Sequence, residues 1–541
     1  MSTEIVKNRF LGFLIWQSII STIIFLFCKI FLLCPFTNDP LSPSLLSFLS
    51  FLNFHFSLLL SSSSLFLVSS PQPDRPASIP VFVHFLLRFL LNSIIGGGGG
   101  LPELSAPSFR RRVRTSLGLL LVLIISTESG FMSVASLIRN SKAISGLPLI
   151  GIGLRGSGFG LIYGVYYIYK QRWVLSFPII QRRLFYSFKM GLPSAFRQAL
   201  KLSTVAFLCS SVVVVFLPDQ YKGQGTMVQS IVNQIIFYVG SSMVSLCWEL
   251  SHHLHQVVHT KRCIFAPPKG SAATETNSSQ PILAALEEST PRSLLQYLAY
   301  LDLCMVCEGN VDIWRRAAFF EETGETYRRV MAVCLRPLEQ LTSNLGELLE
   351  DCSGDRTDQV SHQLLSAADT HMDSKLNESF NDFQLYAWCA RSIAALTARS
   401  HSEDRFGVAQ LTGCNAAVVS TLLSCLLAVE ACMGRKTSVQ TPLLMGPASI
   451  KWATLNTGRR DGPARIIGKR SSGPLYAKAY AMADVLRTAI YSLVSVFHDE
   501  MLGSSKAGKL EKDWITGRNP LFGTRDILVQ KLRLFLDFQA N

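Results

Sequence analysis

The sequence predicts an all-α protein: a six-span transmembrane helix bundle followed by a helical cytosolic or nucleoplasmic domain. Three observations predict it. The 541 residues are 48% hydrophobic and only 16% charged, a balance foreign to soluble chains. Six apolar stretches meet or approach the ~20 residues a helix needs to cross a bilayer core. The net charge of +14 sits almost wholly in one half: residues 1–260 carry 20 Lys and Arg against 7 Asp and Glu, and residues 261–541 carry 31 against 30. Basicity confined to the apolar half points to orientation of membrane spans and not to nucleic-acid binding.

The spans fall at about 10–34, 44–69, 116–138, 147–169, 199–217 and 227–250, within a transmembrane domain of residues 1–260. Each satisfies its backbone only as a helix. The first has too long an apolar run, and no small-residue cleavage site, for a cleaved signal peptide. Ile79 to Ile95 is shorter, carries His84 and Arg88 and runs into Gly96 to Gly100, so it reads as interfacial or disordered within a low-complexity loop, 71–109. With six spans, loops on the N-terminal side carry 14 Lys and Arg, including Arg110 to Arg112, Arg114 and the Lys170 to Arg197 group, while the opposite side carries Arg139, Lys142 and Lys222. The positive-inside rule then puts both termini on the cytosolic or nucleoplasmic side.

A small, polar linker spans 261–281, and a helical soluble domain follows over 282–541, with an exposed Gly-rich basic loop at about 446–474. Val330, Cys334, Leu338, Leu341, Leu345 and Leu348 recur at spacings of three and four, which gives one apolar helix face. Thr290-Pro291 marks another helix start. Leu411 to Met433 is apolar enough to span, but Glu430 lies inside it and a run of bases follows, so a buried core helix is expected. The 13 cysteines show no framework spacing, which suits reduced thiols.

Several motifs resemble chemistry. Gly151-Ile-Gly153-Leu-Arg-Gly156 has the letters of a dinucleotide fingerprint but lies in a span with no βαβ unit; Gly156, Gly160 and Gly164 instead form a ridge for close helix packing. His252, His253, His255 and His259 cluster after the last span, yet the other six histidines are dispersed and no HExxH is present, so no metal, cofactor or catalytic residue is expected. Cys304-Met-Val-Cys307 lies in an apolar run and reads as core. Glu128 and Arg155 occur at similar depths in consecutive spans, where a structural ion pair is expected. The segment from Lys170 to Lys201 interleaves bases with aromatics. Trp173, Phe177, Arg182, Arg183, Phe185 and Lys189 are its candidate membrane-interface residues, and an orienting basic loop is the plainer alternative.

Gln280-PILAALEESTPRSLLQYLAYLDLCMVCEGN, then Arg315-RAAFFEETGETYRRVMAVCLRPLEQLTSNL, with six spans and the stretch Ile5 to Ile19, resembles the nuclear-division-cycle (Ndc) transmembrane nucleoporin family in a plant-like version. The core of the resemblance is Leu294-Leu-Gln-Tyr-Leu-Ala299 with Asp302-Leu303. It implies a non-enzymatic protein of the pore membrane that anchors the nuclear pore complex and supports its assembly. The implied partners are membrane lipid, other pore-membrane proteins and soluble linker nucleoporins of the inner ring, with no direct nucleic acid. Gln296, Tyr297 and Asp302 are partner-binding candidates because the family motif falls on them. The competing expectations are a multi-span membrane enzyme, resting on the histidines, and a transporter, resting on Glu128 and Arg155.

Overall fold

Long apolar runs leave helix as the only conformation that satisfies the backbone in lipid, and every named element among the described residues is helical. The computed structural model describes residues 2–33, 45–72, 76–95, 107–139, 147–216, 227–267, 278–354, 375–434, 474–505, 514–517 and 519–540. Most of the loop expected at 446–474, and the middle of the linker at 268–277, lie outside these residues. The chain divides into two compact units, Met1–Arg262 with Pro291–Leu298, and Cys263–Thr290 with Ala299–Asn541.

The first unit holds α1 (Ser2–Phe27, continued by a π-helical turn to Leu32), α2 (Leu45–Val68), α3 (Ile79–Ile95), α4 (Pro107–Ile138), α5 (Leu147–Tyr169), α6 (Leu184–Phe216) and α7 (Met227–Thr260). Two polar or small-residue seams set its packing. On α5, a Cβ on Gly156 would stand 2.6 Å from the Gly130 carbonyl oxygen of α4, and one on Gly160 would land on the backbone of Ser126. Only glycine permits that approach. On α2, Ser57 Oγ lies 2.6 Å from Ser133 Oγ, Asn53 Nδ2 donates to Ser136 Oγ at 2.7 Å, and Ser50 donates to the Ser136 carbonyl of α4. The Ser/Leu/Phe tract is therefore a registered helix face: its hydroxyls find partners where hydrocarbon offers none. Phe159 and Tyr163 of α5 pack on Trp248 of α7 at the centre of the apolar core.

Among the described residues, seven helices are long and apolar enough to cross a membrane: Glu4–Leu32, Leu45–Val68, Phe109–Ile138, Leu149–Tyr169, Ile231–Thr260, Cys414–Met433 and Ala477–Gly503. The first five fall on expected spans. The span expected at 199–217 lies in α6, which is not one of the seven, and the last two belong to the second unit. Ile79–Ile95, expected as part of a loop, is a helix of 17 residues, tied in by the Ala77 N–H donating to Ser116 Oγ at 2.9 Å. His84 and Arg88 interrupt its hydropathy without interrupting its helical bonding.

The second unit contains α8 (Gln280–Glu287), α9 (Leu294–Glu308, from Ala299 on), α10 (Ile313–Ala317), α11 (Glu325–Gly354), α12 (Phe383–Glu403), α13 (Val408–Leu411), α14 (Cys414–Gly434), α15 (Pro474–Ser505) and α16 (Arg525–Ala540). The apolar stripe of α11 is buried from Val330 through Leu345, and Leu349, one turn on, completes it where Leu348 is half-buried. The apolar α14 buries Leu422, Leu423, Leu426 and Val429. Its acid, Glu430, accepts from Arg487 of α15 and Lys531 of α16, both at 2.8 Å. Cys304 and Cys307 face the interior of α9, where burial pushes the Cys304 thiol up to about 12 and leaves it protonated and unreactive.

Candidate membrane-interface site

At one end of the first unit, the chain leaves α5, crosses residues 170–183 and enters α6. The last turns of α7 hold that crossing in place. Arg172 donates both terminal nitrogens to Glu249 at 2.6 and 2.7 Å. A second contact from the same guanidinium reaches His252 Nδ1 at 2.9 Å, while His252 Nε2 donates to the Arg172 carbonyl at 3.1 Å. This arrangement assigns the proton to Nε2 and the lone pair to Nδ1. One turn further, Gln256 brackets Val174 and Ser176, accepting from the Ser176 N–H at 3.2 Å and donating to the Val174 carbonyl at 3.1 Å. His253 donates to the Phe188 carbonyl at 3.1 Å and stacks on the Phe188 ring. Glu249, His252, His253 and Gln256 recur at spacings of three and four, so one face of α7 reads the crossing segment.

The other two clustered histidines turn to α1. His255 and His259 stack with ring centroids 4.2 Å apart, and the Phe13 ring stands edge-on to both. Arg9 donates to the carbonyls of Val258, His259 and Lys261 at 3.0, 3.1 and 2.7 Å, closing the carboxyl end of α7 with a cation. The cluster that suggested metal ligands is thus divided between two packing jobs.

The expected interface residues separate into two groups. Trp173 is buried among Leu65, Leu119, Val122 and Tyr167, and Phe177 is buried and stacks on Tyr297 at 5.8 Å. Neither faces lipid, because the bridge between Ser70 and Val174 turns both rings inward. Arg182, Arg183, Phe185 and Lys189 are exposed on the crossing segment and the first turns of α6. Exposed beside them are Tyr186, one of the aromatics of the alternation, and, not anticipated from the sequence, Ile179, Ile180 and Met190.

Glu128 and Arg155 are not brought together. Arg155 is buried, donates to Gln234 at 2.6 Å and Ser210 at 3.1 Å, and lies 3.9 Å over the Phe237 ring. The face of α4 that meets α5 is Ser126, Gly130 and Val134; Glu128, two residues and about 200° around the helix from Ser126, is exposed on the other side. The motif candidates are also drawn inside. Tyr297 is buried, with its hydroxyl accepting from Gln72 at 3.2 Å; Gln296 accepts the Arg292 N–H at 2.7 Å and helps start α9. Asp302 is buried against Arg315 at 2.7 Å. Tyr297 and Asp302 have no surface to offer a partner.

Sequence comparison meets this geometry directly. Residues 154–368 match a family model described as Nucleoporin protein Ndc1-Nup. Over that stretch the chain is similar to the Ndc1-Nup nucleoporin family. The Ndc1-Nup match covers less than half the chain, but it takes in the crossing segment, α6, α7, the buried motif of α9 and all of α11. No curated protein matches the chain significantly. The membrane-length helices among the described residues fit a multi-pass membrane protein.

Proposed function

We propose that this chain anchors the nuclear pore complex in the nuclear envelope and supports its assembly by contacts with other nucleoporins. The observation that carries the reading is the Ndc1-Nup match, which runs from the last membrane-length helices of the first unit into the helices of the second. We take 1–260 as the membrane domain, 261–281 as the linker and 282–541 as the partner-binding domain, and place both termini on the cytosolic or nucleoplasmic side. The loop charges support that orientation, and the unit boundary next to Arg262 supports the division. Exposed interface residues Arg182, Arg183, Phe185 and Lys189 suit contact with lipid headgroups. Partners are other pore-membrane proteins and soluble linker nucleoporins of the inner ring. The reading needs no catalysis: the histidines and Arg155, which would support an enzyme or a transporter, are engaged in packing.

The test is high-resolution imaging of the tagged full-length protein beside a nuclear-pore marker. A punctate nuclear rim coincident with pores is expected. A uniform reticular or plasma-membrane pattern would overturn the reading.

A further inference from the structure

The crossing segment, the first turns of α6 and the end of α7 enclose a cavity of about 710 Å³. Its chemistry is mixed. Basic and polar groups, Arg182, Lys261 and Gln256, line it together with apolar ones, Ile180, Leu184 and Met190, the last in contact with the Arg182 guanidinium. The single acid in the lining, Glu249, is engaged with Arg172. Arg182 and Lys261 are exposed, with no acidic partner among the described residues, so the cavity presents uncompensated positive charge beside uncovered hydrocarbon. Ile179, next to Ile180 on the same segment, is 88% exposed.

The cavity also lies at a definite depth. At 1.5 Å per residue the 34 residues of α7 span about 51 Å, roughly 20 Å more than a hydrocarbon core of about 30 Å. The lining residues of α7, Glu249 to Thr260, occupy its final three turns. With the expected span at 227–250 occupying the hydrocarbon core, all of them but Glu249 lie beyond it in the headgroup layer, where an anion and an acyl chain belong to one molecule.

We propose that this cavity is a binding site for a single anionic phospholipid, its phosphate held by Arg182 and Lys261 and the start of its acyl chains against Ile180, Leu184 and Met190. A free phosphate would satisfy the two cations and leave the apolar side chains uncovered, and a zwitterionic lipid would cover them and leave the charge uncompensated. The proposal rests on the chain being a membrane protein and does not depend on its role at pores.

The test uses the full-length protein in detergent at physiological salt, with native mass spectrometry of retained phosphatidic acid against phosphatidylcholine. Wild type should retain phosphatidic acid preferentially. Arg182→Gln/Lys261→Gln should lower its retention by about 25-fold, on the order of fivefold per basic side chain near the surface. Arg111→Gln/Arg112→Gln removes the same charge from exposed residues that do not line the cavity and should change retention by less than about twofold, since exposed charges away from the site are screened. Arg182→Lys/Lys261→Arg should keep the wild-type preference, which separates lost binding from lost folding. Equal losses in the two glutamine pairs, no preference for phosphatidic acid, or displacement by glycerol 3-phosphate as effective as by the lipid would each overturn the site. Imaging of Arg182→Gln/Lys261→Gln beside the pore marker separates the two readings, because an anchor without this lipid still reaches pores.

Discussion

Asp302 and Arg315 form an ion pair at 2.7 Å in which the side chains are 0% and 2% exposed. The Asp302 carboxylate also accepts the Phe265 N–H at 2.9 Å, and Arg315 donates to the Phe265 carbonyl at 3.0 Å. Three residues far apart in sequence thus satisfy one another in a space water does not enter. Removing Asp302 leaves the buried Arg315 with only the Phe265 carbonyl and a longer contact to Asp312 at 3.9 Å, so Asp302→Ala should cost about 3–5 kcal/mol. Replacing both, as Asp302→Leu/Arg315→Met, should cost less than either single change. Thermal unfolding of wild type, Asp302→Leu, Arg315→Met and the double variant reads this directly, and additive losses would show that the pair is not the stabilising unit.

The glycine seam predicts a contrast between neighbours on one helix. A Cβ on Gly160 would meet the Ser126 backbone, whereas one on Gly158 would meet nothing within 4 Å. Gly160→Ala should therefore destabilise the detergent-solubilised protein by about 1–3 kcal/mol through overpacking. Gly158→Ala should be neutral or slightly stabilising, because alanine is the better helix former. Fluorescence-detected size exclusion after heating ranks the two; equal midpoints would mean that α4 and α5 do not approach as closely as the seam requires.

What the sequence reveals depends on whether a property is local. The glycine ridge was legible because helical spacing alone puts Gly156, Gly160 and Gly164 on one face, and the Val330 to Leu345 stripe was legible for the same reason. Arg155 was misassigned because depth fixes only one of the two coordinates of a side chain on a helix. Its angle points to Gln234 and Ser210, partners 79 and 55 residues away. The aromatic–basic alternation of the crossing segment failed similarly. Trp173 and Phe177 look interfacial by type, but one backbone bridge to Ser70 turns them inward. The serines of α2 look like low complexity until α4 supplies Ser133 and Ser136 opposite them.

The second unit carries a pH signature. Arg316 is fully buried and holds Glu403 through two nitrogens at 2.6 and 2.7 Å. The Arg316 guanidinium, with desolvation opposing it, keeps the Glu403 carboxyl below its ordinary value of 4.5. A carboxyl depressed in the folded state stabilises above its unfolded value, and that stabilisation is lost as pH falls through the folded value. The gap in unfolding midpoint between wild type and Glu403→Gln should accordingly stay constant from neutral pH down to about 4.5 and narrow below it. A gap unchanged across the acid range would remove Glu403 as its source.

Orientation is the remaining consequence of the charge distribution, and glycan acceptance tests it. Asn377-Glu-Ser is a sequon on a half-buried asparagine of the second unit, and Asn277-Ser-Ser is another in the linker. Both lie on the side to which the basic loops assign the soluble half, away from the lumenal glycosylation machinery. Neither should carry glycan in the native protein. A sequon introduced at Lys142, in the loop between α4 and α5, should be modified, because the same topology puts that loop in the lumen. Glycosidase digestion followed by gel mobility reads all three sites. A shift from Asn277 or Asn377 with none from the introduced site would invert the membrane domain, and the Arg182 and Lys261 side chains would then face the lumenal leaflet.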